Sequence, residues 1–239
     1  PVSQIRVIPM EIGGGFGGKI PIYQEPSAAF LSKKTGRPVK MTLTRAEVLE
    51  GTGPGGGTYT HVKMGVKKDG RIVSAKAFLA FEAGAFPGSA VNAGAMCMLN
   101  MYNIENIHID ANDVVVNKPK TAPYRAPGSP QVAFAMESAV DELCEQAGWD
   151  SMKFRIDNSS RAGTRRGDGV LFSKIGMEEV LEAAKETDHW KAPLGEPANG
   201  KKRGRGIASG YWFNIGGQTS ATLNLCEDGS VALVVGTPD

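Results

Sequence analysis

Gly13-Gly14-Gly15-Phe16-Gly17-Gly18-Lys19 sets five glycines in six positions. Glycine has no Cβ, so such a stretch lets backbone come close to a ligand or to another segment. Before it, Gln4–Met10 carries Ile5, Val7 and Ile8 and predicts a buried strand. After it, a helix is predicted over Gln24–Lys34, with Ala28, Ala29 and Leu31 turned inward and Gly36 as its C-terminal stop. Gly13-x-Gly15-x-x-Gly18 fits a dinucleotide fingerprint. The acidic residue expected about 20 positions on is missing, and Arg45 stands near that place, which leaves an NADP reading. Gly13-x-x-x-x-Gly18-Lys19 nearly spells a phosphate-binding loop. Ile20, however, has no hydroxyl for magnesium, and Pro21 removes an amide where the helix should start. A glycine turn without any ligand is the remaining alternative.

Pro38–Leu43 reads as a strand. Thr44-x-x-Glu47 is a capping box opening a short helix that Gly51 ends, and residues 51–57 read as a flexible glycine loop. Tyr59–Lys67 and Arg71–Phe81 predict a hairpin around Asp69-Gly70. Ala83–Ile104 carries no charge, but Gly84, Pro87, Gly88, Asn92, Gly94, Asn100 and Asn103 interrupt it. A buried, partly irregular segment is expected there rather than a membrane span. Ile104–Ile109 and Val114–Val116 predict two short strands. Ser129 is placed as an N-cap with Pro130 at the first helical position, followed by Val132, Met136, Val140 and Leu143 at helical spacing, and Gly148 as stop. A further helix, Met177–Glu186, sets Val180, Leu181 and Ala184 on one face. Residues 191–206, with Lys201, Lys202, Arg203 and Arg205, read as a solvated linker. Ile207–Phe213 predicts a strand, and Ala221–Cys226 with Ser230–Val235 a second hairpin around Asp228-Gly229. The expected domains are therefore 1–190, the linker 191–206, and the opening strands 207–239 of a second domain.

The net charge of +2 argues for neither nucleic acid nor membrane as a partner. Cys97, Cys144 and Cys226 lie far apart, without zinc or cluster spacing, and suit a reducing, cytoplasmic setting. His61, His108 and His189 are scattered and read as surface or packed histidines.

Tyr124-Arg125-Ala126-Pro127-Gly128-Ser129-Pro130-Gln131 is a loop running into a helix N-terminus. Unpaired amides and the helix dipole favour an anion or oxo group there, and Arg125 adds a permanent cation with five donors. An arginine that merely caps a carbonyl or pairs with an acid is the alternative. Together the two loops resemble the xanthine dehydrogenase/aldehyde oxidase family of molybdenum hydroxylases, in its molybdopterin-binding large subunit. The resemblance runs on through Lys34–Lys40, Thr44–Glu47, Gly84–Phe86, Glu137, Asp141, Glu142, Leu143, Arg155, Asn158, Gly204–Ala208 and Glu227–Val231, nearly the whole chain in order.

The resemblance implies mixed α/β (α+β) sheets with flanking helices, truncated at both ends. It implies a molybdopterin cofactor, in the cytosine dinucleotide form, bound by Gly14, Gly15, Phe16, Gly17 and Gly18 on one side. Tyr124, Arg125, Ala126, Pro127 and Gly128 would bind it on the other. No protein ligand to the metal is expected. Ile20 and Pro127 are substrate-pocket candidates. Purine-oxidising members carry an acid and a stacking aromatic at these places, so an aldehyde, an N-heterocycle or an aromatic acyl thioester is the implied small-molecule substrate. The cysteine-bearing loop of the carbon monoxide dehydrogenase type is absent. Iron–sulfur clusters and FAD are expected on other domains or subunits. The family's glutamate base has no match here, so no catalytic residue is assigned. The chain is expected to be a fragment, inactive alone and self-associating through its cut edges. The competing readings are an NAD(P)-binding oxidoreductase domain and a non-catalytic scaffold homologue.

Overall fold

The computed structural model describes all residues except 9, 54, 198, 214–218 and 237–239. A 3-10 turn at Val2–Gln4 precedes two short helices, α1 (Glu25–Thr35) and α2 (Arg45–Gly51). Then come strands β1 (Thr58–Val66) and β2 (Ile72–Gly84), helix α3 (Val91–Cys97) and strand β3 (Asn106–Val115). Helices α4 (Ser129–Ala147), α5 (Ser151–Asn158), α6 (Met177–Lys185) and α7 (Asp188–Lys191) follow, and a hairpin of β4 (Ala221–Leu225) and β5 (Val231–Val235) closes the series.

The main sheet is mixed, in the order β1-β2-β3. β1 and β2 are antiparallel, whereas β3 runs parallel to β2 because α3 carries the chain back across the sheet. Alternate residues of β2 (Ala75, Ala77, Leu79 and Phe81) are buried with Val91 and Cys97 of α3 and with Val132, Met136, Val140 and Cys144 of α4. Leu79 is fully buried, a position whose side chain contributes roughly 1.5–3 kcal/mol. The uncharged stretch behaves as predicted, since Met98, Leu99, Met101 and Tyr102 run through the core as turns after α3.

A buried polar cluster joins α4, α5 and the segment before β4. Arg155 is fully buried and its Nε donates to Glu137 Oε2 at 2.7 Å, while its Nη2 donates to Asp141 at 2.8 Å. The Tyr102 hydroxyl donates to Glu137, and the Ser209 amide donates to the same carboxylate at 2.7 Å. Burial, and then the Glu137 charge, push the Tyr102 hydroxyl well above its ordinary range. Asn158 ties α5 to the first hairpin, accepting from the Ile72 amide at 2.8 Å and donating to Gly70 O at 2.9 Å. Helix α5 is capped by Asp150, which accepts from the Lys153 amide at 2.6 Å. It was not foreseen from the sequence.

Several expectations need correction. The described part of Gln4–Met10 forms no strand, and Ile5, Val7 and Ile8 are 69%, 85% and 62% exposed because nothing offers them a ladder. Pro38–Leu43 is likewise irregular. Of the three α1 residues expected to be inward, Ala28 is partly covered, while Ala29 and Leu31 face solvent. In α6 Leu181 is buried but Val180 is 65% exposed. The two short strands around residue 110 are one strand. Its polar residues find partners without breaking the ladder, as when Asn112 Nδ2 donates to Leu79 O at 3.2 Å. Ser129 is not a cap: Gly128 holds that place, and the Ser129 hydroxyl donates to Tyr211 O at 2.6 Å. Residues 207–213 form a strap rather than a strand, since side chains of α4 take its backbone groups at Ser209 and Tyr211. Arg205 is not a solvated linker charge. Its guanidinium lies over the Trp190 ring at 5.8 Å and donates to Trp190 O and, at 2.6 Å, to Ala192 O. The capping box at Thr44 and Glu47 and both hairpins form as predicted. Ala198, in the linker reading, and 237–239, in the reading of the chain's end, lie outside the described residues.

Candidate functional site

Residues 15–20 fold as two successive turns, with Gly18 N–H donating to Gly15 O at 2.9 Å and Ile20 N–H to Gly17 O at 3.2 Å. Gly17 has φ +96°, and a Cβ there would lie 2.9 Å from Pro123 O and 3.0 Å from its carbonyl carbon. The glycine thus lets one loop rest directly on the backbone of the other. Beside this contact Arg125 N–H donates to Phe16 O at 2.8 Å, and the Phe16 and Tyr124 rings meet with centroids 6.2 Å apart. The sequence pair of motifs is therefore one structural unit.

Phe16 (φ +50°) and Ala126 (φ +54°) occupy the left-handed region without being glycine. Each such residue costs on the order of 1–3 kcal/mol, and such strain gathers at functional loops. Gly128, with φ +87°, is packed so closely that a Cβ would sit 2.5 Å from Ala90 O and 2.8 Å from Gly94 N.

Donors without partners cluster on these loops. Among the described residues, the amides of Gly14, Gly15, Phe16 and Gly17 have no hydrogen-bond acceptor, and Arg125 has neither an ion-pair partner nor a side-chain hydrogen bond. A cleft of about 240 Å³ adjoins the second loop, walled by Tyr124, Pro127, Gly128 and Gln131 and by the turn Gly88–Ala90. Gln131 Oε1 is buried without a hydrogen-bond partner, an arrangement that calls for a donor from elsewhere.

Tyr124, Pro127 and Gly128 line the cleft; Gly14–Gly18, Arg125, Ala126 and Ile20 do not. Ile20 is 73% exposed. The sequence reading missed Gln131, Ser89 and the glycine loop after α2. That loop was expected to be flexible, but Gly53 and Gly56 are pressed against Ala122 and Glu82, where a Cβ would come within 2.2 Å and 2.4 Å of them. The Tyr23 hydroxyl stitches it to the first loop, donating to Gly18 O at 3.1 Å and accepting from Gly53 N–H at 3.0 Å. Glu82, another wall residue, accepts from Lys118 at 2.8 Å, and that bond holds its carboxyl below its usual range. Glycines at 53 and 56 were the available signal.

The dinucleotide fingerprint lacks its frame, because no strand precedes Gly13 among the described residues and α1 begins only at Glu25. Residues 1–159 match the molybdopterin cofactor-binding domain. The chain belongs to that family. Similar proteins include the nicotinate dehydrogenase large molybdopterin subunit of Eubacterium barkeri, 32% identical over 78% of this chain and 45% of that protein. The xanthine dehydrogenase molybdenum-binding subunit of Escherichia coli O157:H7 is 30% identical over 100% of this chain and 34% of that subunit. Among solved structures, the aldehyde oxidoreductase of Desulfovibrio desulfuricans superposes with a TM-score of 0.81 at 27% identity, over 92% of this chain and 25% of that one. The chain spans less than half the length of these relatives.

Proposed function

We propose that the chain supplies two walls of the active site of a molybdenum hydroxylase acting on an aldehyde or N-heterocycle. The observation that carries this reading is the Gly17–Pro123 contact with its flanking Arg125–Phe16 hydrogen bond. It joins the glycine loop, whose amides lack acceptors among the described residues, to the loop that carries Arg125 and leads into α4. Those groups fit a pterin bearing oxo and phosphate oxygens, which needs many fixed donors and close backbone approach. When bound, the cofactor supplies the two-electron redox chemistry for hydroxylating an electrophilic carbon with oxygen from water.

The chain's own residues bind and orient. The amides of Gly14–Gly17 donate toward cofactor oxygens, and Arg125 neutralises negative charge with a planar fork. Pro127 and Tyr124 give the adjoining cleft an apolar wall for the substrate. Glu137 accepts from Tyr102, Arg155 and the Ser209 amide inside a buried cluster and is not available as a base. Turnover would require a glutamate elsewhere in the subunit, so the 239 residues alone would be inactive. The length of the relatives supports this. Iron–sulfur and flavin carriers would take the electrons. The nucleotide on the pterin is proposed to be cytosine, and the setting cytoplasmic; no helix among the described residues is long and apolar enough to cross a membrane.

The test is to purify the molybdenum-binding subunit carrying this chain, measure bound metal, and assay benzaldehyde and nicotinate with an artificial electron acceptor. Arg125→Lys should retain metal and fold but lose at least about tenfold in turnover, the value of one lost charged hydrogen bond. Unchanged turnover and metal content in Arg125→Lys would overturn the assignment. A wild-type protein that takes up no molybdenum would favour a scaffold role.

A further inference from the structure

The turn from β2 into α3 contributes Gly88, Ser89 and Ala90 to the cleft wall, yet residues outside the cleft hold it in place. Gly88 has φ +107° and Gly84 has φ +79°. One carboxylate oxygen of Asp113, near the end of β3, accepts from Gly88 N–H at 2.7 Å, and the other accepts from Ser89 N–H at 2.8 Å. Lys120 Nζ donates to Gly88 O at 2.7 Å and to Ala83 O at 3.2 Å. The N–H of Gly88 is thus held by an anion and its C=O by a cation. Charged partners make such bonds roughly twice as strong as neutral ones.

This turn abuts the second loop. Ala90 O and Gly94 N lie where a Cβ on Gly128 would be, at 2.5 Å and 2.8 Å. Gly128 ends the Tyr124–Gly128 loop and starts α4. Close-packed backbones transmit a shift rather than absorb it, so a loosened turn displaces Gly128.

We propose that Asp113, assisted by Lys120, is a positioning residue that fixes the cleft wall and the Tyr124–Gly128 loop, and thereby sets which substrate shapes the cleft admits. The substrate half of this inference rests on the functional reading above; the clamp does not. The groups acting on the Asp113 carboxyl are Ser89, then the Gly88 amide, and the Lys120 charge, and together they hold it below its ordinary range. A depressed value means the clamp is engaged at neutral pH and is released as pH falls through the folded-state value.

The first experiment needs no cofactor. In amide NMR of the cofactor-free molybdenum-binding subunit carrying this chain, the Gly88 and Ser89 resonances should titrate together below the ordinary carboxylate range. In Asp113→Asn they should not titrate, and their exchange protection should fall about tenfold, with Lys120→Met acting in the same direction. Independent titration of the two amides, or protection unchanged in both variants, would overturn the clamp. The second experiment uses the cofactor-loaded subunit with benzaldehyde and the bulkier 2-naphthaldehyde. Asp113→Asn should change the ratio of their KM values by more than it changes kcat for benzaldehyde per bound molybdenum, and Asp113→Glu should restore part of the ratio. An equal fall in kcat/KM for both substrates, tracking lost metal, would overturn the specificity role. If the wild type oxidises neither aldehyde, the functional reading fails and takes the specificity role with it, while the amide titration still decides the clamp.

Discussion

Gly17 and Gly15 sit two residues apart and should respond differently to substitution. At Gly17 a side chain meets the Pro123 backbone and a φ of +96°, so Gly17→Val should separate the two loops. Strain of this kind costs roughly 1–3 kcal/mol, and a lowered melting temperature together with lost molybdenum uptake is expected. At Gly15 a Cβ would meet only Lys19 at 3.6 Å, an ordinary contact, so Gly15→Ala should leave melting unchanged. Thermal melting of both variants checks the contrast. Equal melting of Gly17→Val and wild type would show that the loops are not interlocked. Arg155 is the other residue with a sharp expectation. Arg155→Met leaves the Glu137 carboxylate buried without its cation, and breaking a buried pair from one side costs roughly 3–5 kcal/mol. Urea unfolding should show a lower midpoint. A midpoint within error of wild type would mean that Tyr102 and the Ser209 amide suffice to hold Glu137.

At the scale of elements, the short helix α2 depends on its cap. Thr44 accepts from the Glu47 amide at 3.3 Å, and Glu47 accepts from the Thr44 amide at 2.6 Å. Thr44→Ala should weaken α2 by about 1 kcal/mol, read as faster amide exchange confined to residues 45–51. The Thr44 amide, and then its hydroxyl, hold the Glu47 carboxyl below its ordinary value of 4.5. A depressed carboxylate stabilises the folded state above its unfolded value and loses that contribution as pH falls through the folded one. Protection of the α2 amides, relative to their intrinsic exchange rates, should therefore fall below about pH 4.5 in wild type and show no such step in Glu47→Gln. A step that persists in Glu47→Gln would assign the pH response to another group. Elements whose signals are local were legible in advance: the capping box, the Asp69-Gly70 and Asp228-Gly229 hairpins, and the Val132–Val140 face of α4. Gln4–Met10 was misread because an apolar run does not itself provide a pairing strand. The Ile207–Phe213 strap was misread because its partners, Glu137 and the Ser129 hydroxyl, lie more than 70 residues away.

For the molecule as a whole, the β4–β5 hairpin turns Leu223, Leu225, Val231, Leu233 and Val235 to one face, and all five are exposed. An uncovered apolar face of this kind favours association. Sedimentation should show concentration-dependent self-association of the chain, reduced by Leu233→Glu. A wild type that stays monomeric throughout the range would refute this. The sequence by itself determined the two glycine-bearing loops, the local caps and hairpins, and the kinship that the motifs carry, because those depend on residue identity, spacing and backbone freedom. Only the tertiary structure decided that Gly17 rests on Pro123 and that Gly53 and Gly56 are packed rather than loose. It alone placed Asp113 on the N–H and Lys120 on the C=O of one residue, Gly88, in the cleft wall. Each of those facts is a contact between segments tens of residues apart, and the close packing that creates them leaves no periodic or compositional trace along the chain.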